Sequence, residues 1–140
     1  MKDVTFTVNM QPKGKSRHRT ANGRAYTPAK QVRWEAQFAL MASQYRPEEV
    51  MEGPLYIEID AVFDRPKRLL RKKDPPGLIL HDKKPDVDNI MKSVCDALNE
   101  TGWWRDDCQV ATCTIRKFYA EKIHSARLTV TIKELENGQG

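Results

Sequence analysis

The sequence has no apolar segment near the roughly 20 residues that a membrane-spanning helix requires, and its first residues lack the apolar core of a signal peptide. We therefore expect no membrane partner and a cytoplasmic location. Its three cysteines, Cys95, Cys108 and Cys113, are an odd number and form no Cys-x-x-Cys pair. This argues against a disulfide framework and against a structural zinc site. The three histidines are scattered and share no ligand spacing.

Acidic residues are also missing from residues 4 to 34, whereas basic residues recur through that segment. A second basic stretch, residues 65 to 84, contains only two acids, Asp74 and Asp82. The net charge of +5 is thus concentrated in two segments that either contact nucleic acid or form solvated loops. The residues predicted to contact DNA are Lys13, Lys15, Arg17, Arg19, Arg24, Arg68, Arg71, Lys72, Lys73, Lys83 and Lys84.

What is present indicates one globular domain. The 140 residues, 39% of them hydrophobic, suffice for a substantial core. Apolar residues alternate in four segments and recur at helical spacing in two others, in the order β-α-β-α-β-β. We predict an α/β fold of the α+β type, with a small mixed β-sheet and two helices on one face. The predicted strands are 4–10, 55–63, 109–119 and 126–133, and the helices run from Thr27-Pro28 to about Arg46 and from Asp88 to Leu98.

Three segments are predicted to lack regular structure. Residues 11–26 form a polar, basic loop, because no apolar period is present there. Residues 65 to 84 contain three prolines and a glycine, which indicates a long mobile loop. The tail, about residues 136–140, is expected to fray.

Between the basic segments lies an acidic stretch that begins KPDVDNIMKSVCDALN at Lys84. On a helix, Asp88, Lys92 and Asp96 form one line because residues four apart are neighbours. One interpretation is a surface ion-pair ladder in which Asp88 caps the helix. The other adds Asp86 and the later Asp106-Asp107 pair, which a short turn could bring back beside the helix. Converging carboxylates repel one another, and Mg²⁺ is the cation that such oxygens bind.

The same stretch, followed by WWRDDCQV, resembles the central motif of the RusA family of Holliday junction resolvases, D-x-D-N-x-x-K-x-x-x-D-A-L and then D-D-x-Q-V. QPKGKSRHR and AYTP near the beginning resemble the same family, so the likeness covers most of the chain. The resemblance implies a homodimer that binds four-way DNA junctions and, with Mg²⁺ or with Mn²⁺ as a substitute, nicks two strands symmetrically. The nicks would leave ligatable 5′-phosphate and 3′-hydroxyl ends.

Carried over to this sequence, the family pattern implies that Asp86, Asp88 and Asp107 are catalytic, metal-binding carboxylates, with Asp106 a less certain ligand beside them. Lys92 would be the catalytic lysine, which either stabilises charge on the phosphate or orients the attacking water. We interpret Asp96 as the partner that holds Lys92 in place.

Two further features each have two interpretations. The tryptophans Trp103 and Trp104 either stack on unpaired bases or, as we favour, cover the core. The 65–84 loop, which is longer than in the best-known member of the family, either grips the junction or is simply solvated.

The sequence is also compatible with two functions other than that of a resolvase. One is a DNA-binding accessory protein whose nuclease site is inactive and whose acids serve only as caps and ion pairs. The other is a nuclease of the same chemistry that acts on flaps or other branched DNA.

Overall fold

The computed structural model describes residues 1–15, 19–26 and 28–136. The prediction for the tail, apart from Glu136, falls outside the described residues. The strands and helices of the structure, in chain order, are β1 (Asp3–Val8), β2 (Arg19–Ala21), β3 (Arg24–Tyr26), α1 (Ala29–Ser43), β4 (Leu55–Phe63), β5 (Ile79–Leu80), α2 (Val87–Asn99), β6 (Val110–Tyr119) and β7 (Arg127–Glu134). The predicted order is confirmed for β1, α1, β4, α2, β6 and β7, and the α+β class is confirmed with it.

Five strands form a mixed sheet in the order β1-β7-β4-β6-β5. The pair β4 and β6 is parallel, whereas β1 with β7, β4 with β7 and β5 with β6 are antiparallel. A parallel pair needs a long crossover, and here α2 lies in the connection between β4 and β6. The central strand β4 has Leu55, Ile57 and Ile59 fully buried.

The core lies between the two helices and one face of the sheet. Phe38 of α1 and the α2 residues Ile90, Val94 and Leu98 are each 0% exposed, as expected for an apolar stripe packed on a sheet. The opposite face carries exposed polar pairs instead. Thr5 and Thr131 hydrogen-bond through their side chains at 2.9 Å, and Arg116 pairs with Asp60 at 2.7 Å. Neither helix in the described part of the chain is long and apolar enough to cross a membrane.

Two segments predicted as loops contain regular structure. In the first, β2 and β3 form a hairpin whose turn residues Asn22 and Gly23 both have positive φ, the conformation that Asn-Gly favours. In the second, Arg65 donates hydrogen bonds to the carbonyl oxygens of Ala120, Leu69, Pro75 and Gly77. One guanidinium therefore ties the chain after β4 into a fixed path, with a 3₁₀ turn at Lys67–Leu69 and then β5.

Candidate active site

A cleft of about 1150 Å³ opens where the basic N-terminal segment meets the beginning of α2. Asp86 and Asp88 line it, together with basic side chains from both of the predicted DNA-binding segments. These basic residues are Lys13, Lys15, Arg65, Arg68 and Lys84. The structure therefore brings a pair of carboxylates and a basic surface together in one concave site.

Three acids line the cleft, and two of them come from the entry and the first turn of α2. The third, Asp64, accepts the Ala126 backbone N–H at 2.8 Å. Asp86 is the N-cap residue, but its side chain makes no capping hydrogen bond. Asp88 lies within the first turn of α2. It is therefore not the N-cap residue, contrary to the interpretation in which it caps the helix. Both side chains are exposed and form no hydrogen bond or ion pair with any described residue. The positive end of the helix dipole favours their charge, and their oxygens stay available to a ligand.

The segment that carries Asp86 is held from the sheet by Lys117 of β6. The Lys117 ammonium donates to the backbone carbonyl of Pro85 at 2.8 Å and to that of Lys83. Lys117 lies opposite the buried Ala61 of β4, so its side chain starts from the helix-covered face. This fixes the position of the peptide immediately before Asp86.

The N-terminal segment is fastened to the same end of α2. The backbone N–H of Lys15 donates to the carbonyl oxygen of Asn89 at 3.0 Å. Gly14 lies so close to Pro85 that a Cβ atom added to it would be 2.6 Å from the Pro85 Cβ. Only glycine fits this approach without a shift of one of the two segments, so one wall of the cleft depends on it.

The interpretation of Asp88, Lys92 and Asp96 as an ion-pair ladder is wrong, and so is the interpretation that Asp96 holds Lys92 in place. Asp96 instead binds Lys15, with 2.9 Å between Asp96 Oδ2 and Lys15 Nζ, and Lys15 also contacts Glu35 Oε1 at 3.2 Å. Burial alone would lower the pKa of Lys15, but its hydrogen bonds to Asp96 and Glu35 outweigh burial, and the pKa is raised. The spacing of residues along a helix predicts only neighbours on that helix, whereas Lys15, the partner of Asp96, belongs to the N-terminal segment. Lys92 is exposed and has no ion pair among the described residues.

Asp107 lies at the opposite end of α2. The Trp104 indole N–H donates to the Asn99 amide oxygen, and the Asn99 amide donates to Asp107 Oδ2 at 3.1 Å. Asn99 is the last residue of α2, eleven residues after Asp88, which is about 16 Å of helix rise. The turn does bring Asp107 back to the helix as predicted, but to its C-terminal end.

Asp107 also lies near the buried thiol of α2. Burial, and after it the charge of Asp107, raises the pKa of Cys95 to about 12, so this thiol stays protonated and unreactive. The adjacent Asp106 has a structural partner: it caps the 3₁₀ turn Asp107–Gln109 and accepts from the Cys108 N–H at 2.9 Å. That bond lowers the pKa of Asp106.

One copy of the chain offers a cation two carboxylates, not three. Among the described residues, no three His, Cys, Asp or Glu side chains lie close enough together to hold a metal ion. Asp86 and Asp88 nevertheless fit Mg²⁺, which is commonly bound by one or two carboxylates, waters and substrate phosphate oxygens. Their freedom from other bonds is the feature that makes them suitable.

A buried histidine contributes to the wall of the cleft. His81 is stacked between Phe63 and Tyr119, with ring centroids 4.5 and 4.3 Å away. Its Nδ1 accepts the Lys83 backbone N–H at 3.2 Å, so in the neutral ring the proton is on Nε2. Burial, followed by the charge of Lys117, lowers the pKa of His81. No role was predicted for this residue, because the three histidines share no ligand spacing.

The other predicted DNA-binding residues are distributed unevenly. Arg68 donates to the Tyr119 hydroxyl at 3.3 Å, and Arg71 binds Asp74 through its backbone and side chain. Arg17 falls outside the described residues, and Arg19 is placed in β2. Arg68 and Arg71 are exposed, and so are Arg24, Lys72, Lys73, Lys83 and Lys84. Trp103 and Trp104 are 0% and 3% exposed, which confirms that they cover the core and do not present a stacking surface.

Comparison with known proteins identifies the family of this chain. Residues 8–133 match the family described as Endodeoxyribonuclease RusA. The chain belongs to the RusA family. It is 36% identical over 141 residues to YqaN of Bacillus subtilis, a protein described as uncharacterized, and the match covers 94% of this chain and 96% of YqaN.

Two RusA-family relatives with named activities match over a shorter length. The Crossover junction endodeoxyribonuclease RusA of Escherichia coli K12 is 38% identical over 55 residues, which cover 39% of this chain and 44% of that protein. The protein of the same description from Enterobacteria phage 82 matches to the same extent.

Three residues that position the candidate site of this RusA-family chain were not predicted from its sequence. They are Lys117, which holds the Asp86 segment, Asn99, which holds Asp107, and Gly14, which allows the N-terminal segment to approach Pro85. Asn99 is the last residue of α2 and lies one residue beyond the predicted end of that helix, Leu98. Lys117 gave no signal because it lies within a strand far from the motif.

Proposed function

We propose that this protein is a Mg²⁺-dependent endonuclease that resolves four-way DNA junctions by paired, symmetric nicks during recombination and repair in the cytoplasm. The observation that carries the proposal is the pair of unbonded carboxylates, Asp86 and Asp88, inside a cleft lined by basic residues. Phosphate would be repelled by such acids in a protein that only binds DNA. A bound cation turns the same acids into a binding site for the scissile phosphate.

In this proposal, the residues of the candidate site have distinct roles. Asp86 and Asp88 hold the cation, which supplies charge for the phosphate oxygens and lowers the pKa of bound water. Lys13, Arg68 and Lys84 bind phosphates along the cleft. Lys92, exposed one turn after Asp88, donates to the phosphate oxygen on which charge develops, or holds the attacking water. His81, as a neutral ring, presents an Nε2–H donor at the cleft wall.

The position of Asp107 supports a homodimer. About 16 Å of helix separates it from Asp88, so it does not join Asp86 and Asp88 within one chain. A second copy related by a two-fold axis can supply it, since such an axis places two equivalent surfaces in contact. Each of two sites would then contain Asp86 and Asp88 from one copy and Asp107 from the other, and two symmetric sites are what paired nicking needs.

The test is cleavage of a synthetic four-way junction with and without Mg²⁺, against flap and duplex substrates. We expect cleavage of the junction alone, and only with the cation. Asp88→Asn should abolish cleavage while binding in EDTA is at least as tight, because a negative charge next to the DNA is removed. If the wild type binds the junction but does not cut it, the protein is a binding accessory; preferred cutting of flaps would indicate a different branched substrate.

A further inference from the structure

Three aromatic rings and one guanidinium group form a wall of the cleft that contains no residue of α2. The His81 ring lies between Phe63 and Tyr119, and the central guanidinium carbon of Arg68 lies 5.9 Å from the centroid of the Tyr119 ring. All four side chains line the cleft. They come from the ends of β4 and β6, from the residue after β5 and from the 3₁₀ turn Lys67–Leu69. This wall is therefore separate from the helix that carries the cleft carboxylates.

The His81 imidazole presents a hydrogen-bond donor to the cleft. The residue is 9% exposed, and its Nδ1 accepts the Lys83 N–H, so the proton of the neutral ring is on Nε2. No described residue accepts that proton. In the described part of the chain, only Trp103 Nε1 is a side-chain nitrogen or oxygen both buried and unbonded, so His81 Nε2 is open to the cleft. A ring that is nine-tenths buried thus keeps one unpartnered N–H for a ligand.

Tyr119 and Arg68 add further donors beside this imidazole. The Tyr119 hydroxyl oxygen accepts from Arg68 Nη2 at 3.3 Å, and its own proton has no acceptor among the residues described. Arg68 is exposed, and its Nε and Nη1 form no hydrogen bond with a described residue. After burial and the charge of Lys117, the charge of Arg68 also lowers the pKa of His81. The guanidinium therefore lies near the imidazole as well as near the phenol.

The turn that carries Arg68 is held in place by the protein itself. Arg65 donates to the carbonyl oxygens of Leu69 at 2.9 Å and Ala120 at 2.7 Å, which ties the turn to the end of β6. The Leu69 N–H donates to the Pro66 carbonyl oxygen at 2.9 Å and closes the turn. Because the backbone beside Arg68 is fixed before a ligand arrives, binding loses less conformational entropy.

These donors match a phosphodiester better than the edge of a base. His81 Nδ1 and the Tyr119 oxygen already accept hydrogen bonds, and a guanidinium has donors only. A phosphodiester offers a ligand partner with acceptor oxygens and a negative charge, to which arginine binds strongly, whereas a base edge mixes donors and acceptors. The cleft of about 1150 Å³ is larger than most single-ligand pockets, which are about 300–1,000 Å³. It therefore has room for more than the scissile phosphate.

We propose that His81, Tyr119 and Arg68 form a second phosphate-binding subsite, which holds a phosphodiester that flanks the scissile one on the same DNA strand. The three are positioning residues, because they orient the strand over Asp86 and Asp88 without contacting the reacting atoms. The proposal rests on the proposed function only for the polymer that supplies the phosphate. Binding at the subsite itself requires neither a cation nor cleavage.

The first test scans a fixed four-way junction with single methylphosphonates, each of which replaces one charged phosphate oxygen by a methyl group. Binding is measured in EDTA. We expect one flanking position at which the neutral linkage weakens wild-type binding roughly tenfold, as for a lost hydrogen bond to a charged group. Tyr119→Phe and Arg68→Gln should lose the penalty at that position alone, because the contact is already absent. Tyr56→Phe should keep it, since the Tyr56 hydroxyl bonds Glu58 on the opposite face of the sheet.

The outcome that refutes the subsite is a wild-type penalty at every position in Tyr119→Phe and Arg68→Gln. If Arg68→Gln does not fold by circular dichroism, Tyr119→Phe decides, because it removes one oxygen and keeps the ring. A penalty that Tyr56→Phe also loses would refute the subsite as well.

The second test follows the His81 imidazole without DNA. In NMR spectra of isotope-labelled protein, inorganic phosphate added at constant ionic strength should shift the His81 Nε2 resonance, which is assigned by its absence in His81→Phe. Arg68→Gln should abolish the shift, and the exposed His124 should give the response of an imidazole outside the subsite. Equal shifts of His81 in the wild type and in Arg68→Gln, or no shift in either, would overturn the proposal.

The two tests separate this subsite from the nuclease activity. A position-specific penalty that Tyr119→Phe loses, in a protein that leaves junctions uncut with Mg²⁺, would support the subsite and contradict the proposed function. Junction cleavage that no flanking methylphosphonate impairs would do the reverse.

Discussion

The ammonium of Lys117, near the end of β6, lies 2.8 Å from the carbonyl oxygen of Pro85. Asp86 is the next residue in the chain, so a lysine of β6 fixes the backbone from which a cleft carboxylate extends. Because the ammonium also bonds the Lys83 carbonyl, the segment between β5 and α2 is held at two points. The sheet and the candidate active site are thus mechanically connected.

Replacing Lys117 should therefore reduce cleavage more than binding. Lys117→Met keeps most of the aliphatic stem but removes the donor, and we expect at least a tenfold loss of junction cleavage with junction affinity changed less than threefold. A misplaced metal-binding carboxylate lowers turnover strongly, because reacting groups must be held in near-attack geometry. The matched control is Arg116→Met, which alters the neighbouring residue on the opposite face, where it pairs with Asp60. Equal losses in both variants would mean that Lys117 acts only through strand stability.

The sequence predicted best those features that depend on local periodicity. The apolar stripe of Ile90, Val94 and Leu98 is fully buried, and the alternation from Leu55 to Phe63 is the central strand. Such patterns determine which face of an element is buried, wherever the element lies in the fold. The Asn22-Gly23 hairpin was missed, because residues 11–26 were predicted to be a loop, although Asn-Gly is a specific signal for a tight turn.

Contacts between distant segments could not be predicted in this way. Lys15 and Asp96 belong to different elements, and nothing in the helix spacing of Asp96 indicates that its partner is not Lys92. The position of Asp107 could not be predicted for a similar reason. A short turn after α2 was expected correctly, but it returns the chain to the nearer end of the helix, beside Asn99, and not to the end where Asp88 lies.

Lys15 should contribute to stability more than to DNA binding. Its ammonium is bound by Asp96 and by Glu35, whose side chain is only 8% exposed, and Lys15→Ala would leave that carboxylate without its partner. We expect a loss of about 1.5–3 kcal/mol in the free energy of unfolding, measured by urea denaturation. The comparison is Lys84→Ala, an exposed cleft residue, which should unfold like the wild type.

In DNA binding, we expect the opposite difference between the same two variants: Lys84→Ala should be affected more than Lys15→Ala. Each lost phosphate contact reduces the slope of log affinity against log salt by about 0.9. We expect that reduction for Lys84→Ala and little change for Lys15→Ala. A reduced slope with normal stability in Lys15→Ala would restore it as a DNA contact.

His81 should make the protein less stable at mildly acidic pH. Its pKa is lowered in the folded state, by burial first and by Lys117 second, while an unfolded chain has a histidine pKa of about 6.5. Below that value the unfolded chain takes up a proton that the folded chain resists, so stability is lost as pH falls through about 6.5. His81→Phe keeps the ring stack with Phe63 and Tyr119, and its melting temperature should depend less on pH in this range.

A second histidine provides the control for that pH dependence. His124 is exposed, and His124→Gln should follow the wild type across the same pH range. If His81→Phe and the wild type lose stability in parallel, the buried imidazole is not the group responsible.

Mixing two inactive variants should restore nicking if the metal site is shared between copies. In a dimer of Asp88→Asn with Asp107→Asn, one site carries both changes and the other carries neither. Random exchange should recover roughly a quarter of the wild-type sites, and each mixed dimer should nick one strand without resolving the junction. A mixture of Asp86→Asn with Asp88→Asn is the control, since each of its sites keeps one change. Sites contained within one chain would remain inactive in both mixtures, and that result would exclude the shared site.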